Sequence, residues 1–150
     1  KVPAKYADQR SRESLKALLY KAETTSPAAA AMMARLQAPV WISQLGELEV
    51  RNTFQLAVFR GEIDTASALH KKQLFAEDLA KGIFLIHAIP ATHLYPKAIE
   101  LAERHSATLG TRNLDLMHVA AALILKADFF LTFDERQKNV AEKEGMRTGP

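Results

Sequence analysis

The stretch that most constrains this chain is Gly110–Gln137, "GTRNLDLMHVAAALILKADFFLTFDERQ". Its middle, Leu116–Leu125, contains no Asp, Glu, Lys or Arg. A helix that is apolar nearly all round has no face to give to water, so other elements must enclose it. Asp115 opens this helix, and a short strand-forming run, Phe129–Phe133, follows it and leads into Asp134. A carboxylate before a buried helix and another at the tip of a buried strand can meet at one edge of a sheet.

The rest of the chain has the same grammar. Val2–Ala7 reads as a short strand, and Ser11–Glu23 and Ser26–Gln37 as helices, the second with Ser26 as N-cap and Pro27 at the first helical position. Pro39–Ser43 is a strand feeding a helix over Gln44–Arg60, which Gly61 stops. Asp64 caps the next helix, running to Lys81 before Gly82. Ile83–Ile89 is a strand, and Pro90–Leu109 is helical up to Gly110. A helix over Asn113–Lys126 leads to the strand Phe129–Phe133. A last helix, Asp134–Glu144, closes at Gly145, and Met146–Thr148 is a candidate edge strand. Short strands alternating with helices imply right-handed crossovers and a mainly parallel sheet. The expected fold is α/β, a three-layer α/β/α sandwich formed by one domain over residues 1–150.

A domain of 150 residues can bury roughly 68–70% of the surface its unfolded chain exposes, so its core needs no staples. None exist, since Cys is absent, which suits a reducing compartment. No apolar run approaches the ~18 residues of a membrane span, and no signal-peptide core is visible, so a cytoplasmic protein is expected. The formal charge of +3 is mild and compatible with a polyanionic partner.

In open α/β sheets, ligands bind beyond the carboxyl ends of the strands. Asp8 follows the first strand and Asp134 follows the strand after Ala127, so both belong to that edge. Glu49 lies on the Gln44–Arg60 helix beside a stripe of Leu45, Leu48, Asn52, Leu56 and Phe59, which the spacing predicts to face the core. Four convergent carboxylates, Asp8, Glu49, Asp115 and Asp134, would repel one another unless a divalent cation sat among them. Each also has a plain structural explanation. Asp115 complements a helix dipole, Asp134 is a good N-cap with Gln137 as capping-box partner, and Glu49 can pair with Arg51 or Arg60. His118, on the face of Asp115, reads as a satisfied core histidine or as a group orienting Asp115. Thr132 adds a hydroxyl near the strand end. Asp128 precedes that strand and belongs at the opposite edge.

Other chemistries lack their signatures. His70, His87, His93, His105 and His118 form no HxxxH pair, and GxGxxG, GK[ST] and GxSxG are all absent. Trp41 and the scattered aromatics read as core.

Together these segments resemble the PIN domain, the metal-dependent ribonuclease fold of VapC-type toxins in toxin–antitoxin pairs. "PVWISQLGELEVRNTF" resembles the second strand and the helix that carries the family's second acid, here Glu49. The Gly110–Gln137 block is similar to the family's most recognisable segment and maps its later acids to Asp115 and Asp134. "KYADQRS" maps the first acid to Asp8, although Gln9 and Arg10 stand where the family has small hydroxylated residues. The resemblance implies an endoribonuclease with Mg²⁺ or Mn²⁺ on Asp8, Glu49, Asp115 and Asp134, and Asn52 and Thr132 in support. Arg10, Arg12, Arg51, Arg112 and Arg136 become candidate contacts to RNA phosphates. It also implies a homodimer silenced by a cognate antitoxin protein. The departure after Asp8 motivates a second expectation, a PIN-like binding or scaffold module without competent metal binding.

Overall fold

The computed structural model describes residues 39–149. The strand expected at Val2–Ala7, the two helices over Ser11–Glu23 and Ser26–Gln37, and Asp8, Arg10 and Arg12 lie outside the described residues.

Strand β1, Val40–Ser43, runs straight into helix α1, Gln44–Phe59. Ser43 makes the turn: its backbone is extended and its hydroxyl accepts from the Gly46 amide, satisfying one of the helix's orphan donors. Helix α2, Thr65–Ala80, starts at Asp64, whose carboxylate accepts from the Ser67 amide, as its sequence predicts. Strand β2, Phe84–His87, pairs in parallel with β1, with Val40 opposite Phe84 and Ser43 opposite His87. It is shorter than the expected Ile83–Ile89 and matches the four residues of β1 with which it pairs; Pro90 then leads into helix α3, Ala91–Leu109.

Helix α4, Asn113–Ile124, is buried over Asp115, Leu116 and His118–Ala122, as its lack of charge requires. Strand β3, Phe129–Leu131, helix α5, Glu135–Lys143, and strand β4, Arg147–Gly149, complete the described chain. The strand expected near Met146–Thr148 exists one residue later and pairs in parallel with β3, Phe129 opposite Arg147. All strand pairs among the described residues are parallel, divided into two two-stranded ladders, β1–β2 and β3–β4. Strand β3 shows the layering. Leu131 joins a core of Val40, Ile42, Val50, Phe54, Phe75 and Phe84 under α1 and α2. Its neighbour Phe130 joins Leu101, Leu116, Val119 and Val140 under α3, α4 and α5. Alternate side chains of one strand thus serve helices on opposite faces.

One expectation fails on α1. The stripe Leu45–Leu48–Asn52–Leu56–Phe59 does not face the core: Leu48 is 63% exposed and Phe59 88%. Gly46, Val50 and Phe54, spaced four apart, are buried instead. The helix has two apolar faces, and periodicity cannot choose between them. Gly46 makes the choice, because a Cβ there would sit 2.7 Å from Ile42 Cγ2, so only glycine lets the first turn of α1 lie this close to β1. Among the described residues no helix is long and apolar enough to cross a membrane.

Candidate functional site

Three acids arrive from three elements. Asp115 is the third residue of α4 and 1% exposed. The turn before it is fixed twice: Gly110 ends α3 in the left-handed region at φ 61°, and the Ser106 and Thr111 hydroxyls lie 2.6 Å apart. The Arg112 amide donates to Asp115 Oδ2 at 3.2 Å, and the Arg112 Nε donates to the same oxygen at 3.1 Å. Half of a capping box is present, since a guanidinium has no acceptor with which to return the bond.

Asp134 caps α5, accepting from the Arg136 and Gln137 amides at 2.9 and 3.4 Å. Strand β3 ends at Leu131, so Asp134 stands on a short extension and not directly at the strand's last residue. The Asp134 amide donates to Thr132 Oγ1 at 3.0 Å, and the Thr132 hydroxyl donates to Gln137 Oε1 at 2.9 Å. Gln137 Nε2 then reaches Asp115 Oδ1 at 3.3 Å. The capping-box role expected of Gln137 is therefore not the one its side chain performs: Thr132 satisfies the Asp134 amide, and Gln137 ties Asp134's helix to Asp115. Gln137 and Thr132 are both buried, so each polar atom in this chain needs its partner.

Glu49 comes from α1. His118 Nε2 lies 2.7 Å from Glu49 Oε2, with the imidazole buried and the carboxylate partly exposed. His118 sits one helical turn after Asp115, so α4 supports one acid at its start and braces the second from its next turn. The partners weighed for Glu49 are engaged elsewhere: Arg51 pairs with Glu47 at 2.8 Å and lies over the Phe75 ring, and Arg60 meets Glu62 at 4.0 Å.

Arg112 links the acids. Its Nη2 donates to Asp134 Oδ2 at 3.2 Å while Nε holds Asp115. Asp115, then Asp134 and Glu49, hold this guanidinium above its ordinary pKa, so one cation feels all three carboxylates. Burial pushes the Asp115 carboxyl up, but the Arg112 side chain and amide and the Gln137 amide outweigh it and hold the group below 3.8.

The structure thus ties Asp115 and Asp134 together through Arg112, with Thr132 among their supports, and sets Glu49 on the neighbouring helix against His118, within electrostatic reach of the same guanidinium. Asn52 is not on a core-facing stripe; it is exposed on the outer side of α1. Arg136 is exposed beside Asp134, and Asp128 is exposed just before β3. Two residues went unrecognised as parts of the site: Gln137, whose only sequence signal was capping, and His118 as the partner of Glu49, 69 residues away. Among the described residues, no three His, Asp or Glu side chains stand close enough to ligate one ion. The guanidinium lies where their charges converge. The donors themselves fit a hard divalent cation: all are carboxylate oxygens, and Asp115 and Asp134 are held by amides independently of the guanidinium.

None of the curated proteins compared matches the chain. The PIN domain family model matches residues 15–143, a span that contains Glu49, Asp115 and Asp134 and begins after Asp8. With most of its length matched and helices on both faces of parallel strands, the chain belongs to the PIN domain family, whose members are generally nucleases.

Proposed function

We propose that this nuclease is a metal-dependent endoribonuclease, the toxin of a toxin–antitoxin pair, acting in the cytoplasm on RNA phosphodiester bonds. One observation carries the reading: Arg112 bridges a carboxylate of α4, Asp115, to one at the β3–α5 junction, Asp134, with Glu49 of α1 within electrostatic reach. Asp115, Asp134 and Glu49 would hold Mg²⁺ or Mn²⁺, with Asp8 as the fourth acid. When bound, such an ion supplies Lewis acidity toward a phosphoryl oxygen and a water of lowered pKa.

The chain's own residues supply the rest. Asp115 is the fixed anchor, pinned by Gln137 and a backbone amide. Glu49, braced by His118, is placed to orient or deprotonate the attacking water. Arg136, exposed at the start of α5 beside Asp134, is the described arginine best placed to meet an RNA phosphate. Exposed apolar side chains on α1 (Leu48 and Phe59) and α2 (Leu69 and Leu74) support docking of a second protein chain, an antitoxin or a second copy in a homodimer.

A second reading, a binding module without competent metal binding, is favoured by the same arginine, which already pairs with two of the acids. Incubation with single-stranded RNA and with DNA of matched sequence, in Mn²⁺, Mg²⁺ or EDTA, separates the two. The nuclease reading requires metal-dependent cleavage of RNA in preference to DNA, leaving no 2′,3′-cyclic phosphate because water is the nucleophile. Intact RNA in the presence of a folded protein and either metal supports the binding module.

A further inference from the structure

We propose that Arg112 is a built-in competitor of the metal: its guanidinium pairs with Asp115 and Asp134 and must leave them for a divalent cation to take its place. The inference rests on the metal-dependent reading above and adds to it a device in this chain's own sequence.

Three observations lead here. First, Arg112 is the N-cap of α4, a position that calls for a side-chain acceptor, and a guanidinium has none. Its side chain is therefore not there to cap the helix. It reaches across 22 residues of sequence to Asp134 while also holding Asp115. Second, the guanidinium is not locked in by packing. Its side chain is 60% exposed, whereas that of Asp115 is 1% exposed. An exposed cation on two carboxylates is a weakly held one.

Third, the acids keep their places without it. Asp115 retains the Arg112 backbone amide and Gln137 Nε2. Asp134 retains the Arg136 and Gln137 amides, and Glu49 retains His118. The backbone amide of Arg112 stays fixed by the helix start even when its side chain swings out. A dication at the same distance attracts each carboxylate twice as strongly as a monocation, so exchange is favoured once an ion arrives.

Metal affinity is then reduced by the fraction of molecules in which the guanidinium is in place. Titration of Mn²⁺ into the full chain by calorimetry, with no RNA present, tests this on the wild type, Arg112→Gln, Arg112→Lys and Asp115→Asn. Arg112→Gln is expected to bind Mn²⁺ about tenfold more tightly than wild type, the scale of a closed state populated roughly nine times in ten. Arg112→Lys, which keeps one charge but loses the two-pronged grip, should fall between them. Equal or weaker binding by Arg112→Gln, with wild-type binding intact, overturns the competitor role and makes Arg112 a residue that positions the ligands. That outcome leaves the nuclease reading untouched. If no protein binds Mn²⁺, both ideas fall.

Discussion

His118 on α4 and Glu49 on α1 lie 2.7 Å apart, joining Nε2 to Oε2 across two helices that share no sequence neighbourhood. The imidazole is buried and the carboxylate sits at the rim, so the contact helps to set the direction of the Glu49 side chain. Outer partners of this kind set the activity of the residues they hold. His118→Phe should therefore lower RNA cleavage by roughly 10–100-fold. Combined with Glu49→Gln it should cost little beyond Glu49→Gln alone, because the two residues act as one unit. Single-turnover rates for the four proteins of this cycle measure the coupling; independent, multiplicative losses would argue against it.

The Thr132–Gln137–Asp115 chain predicts a stability effect separable from activity. Thr132→Val keeps the shape but leaves the Asp134 amide and Gln137 Oε1 without their partner. An abandoned buried polar group costs about 1–3 kcal/mol, which urea unfolding should register as a lowered midpoint. A midpoint equal to wild type would mean that the hydroxyl is dispensable.

Acid should act through Asp115. Its folded carboxyl is held below 3.8 by Arg112 and Gln137, so the folded protein binds fewer protons there than the unfolded chain. The resulting stability is fully present above the unfolded value and is lost as pH falls through the folded one. The stability gap between wild type and Asp115→Asn should narrow as pH drops below about 4, which denaturant unfolding at a series of pH values can follow. A gap that stays constant down to pH 2–3 would contradict the pairing.

Gly46 is predicted to be intolerant of a side chain. A Cβ would meet Ile42 Cγ2 at 2.7 Å, and that methyl hangs directly from the Ile42 Cβ and has little room to turn. Gly46→Ala should destabilise by about 1–3 kcal/mol despite the better helix propensity of alanine. Because Glu49 is one turn further along α1, the variant should also cleave RNA more slowly while still folded. Higher thermal stability in Gly46→Ala would show that the contact relaxes.

Much of this was visible in the residues alone. The uncharged run Leu116–Leu125 requires a buried helix, and α4 is one. Asp64 and Asp134 look like N-caps and are N-caps. Asp115 and Asp134 lie near each other, at a helix start and just past a strand end, as the parallel arrangement leads one to expect. What the sequence hid was tertiary. Leu48, Leu56 and Phe59 form as good an apolar stripe as Val50 and Phe54, and it takes the close approach of Gly46 to Ile42 and the packing of the other face on β1 and α2 to show which is buried. Gln137 carries a local explanation, capping, that conceals its long-range bond to Asp115. Arg112 read as a phosphate contact, since nothing in "GTRNLD" shows that its side chain turns back onto two acids.

Glu49, Asp115 and Asp134 are proposed to form one metal-dependent hydrolytic centre. The most direct test is cleavage of a single-stranded RNA pool by wild type and by Asp115→Asn, purified identically and free of any partner protein, in Mn²⁺ and then in EDTA. Wild type should cleave in a manner that EDTA abolishes, with a loss of at least about 100-fold in the folded variant, as for a group needed where charge develops in the transition state. Equal activity in both proteins, or cleavage that survives EDTA, would contradict that assignment.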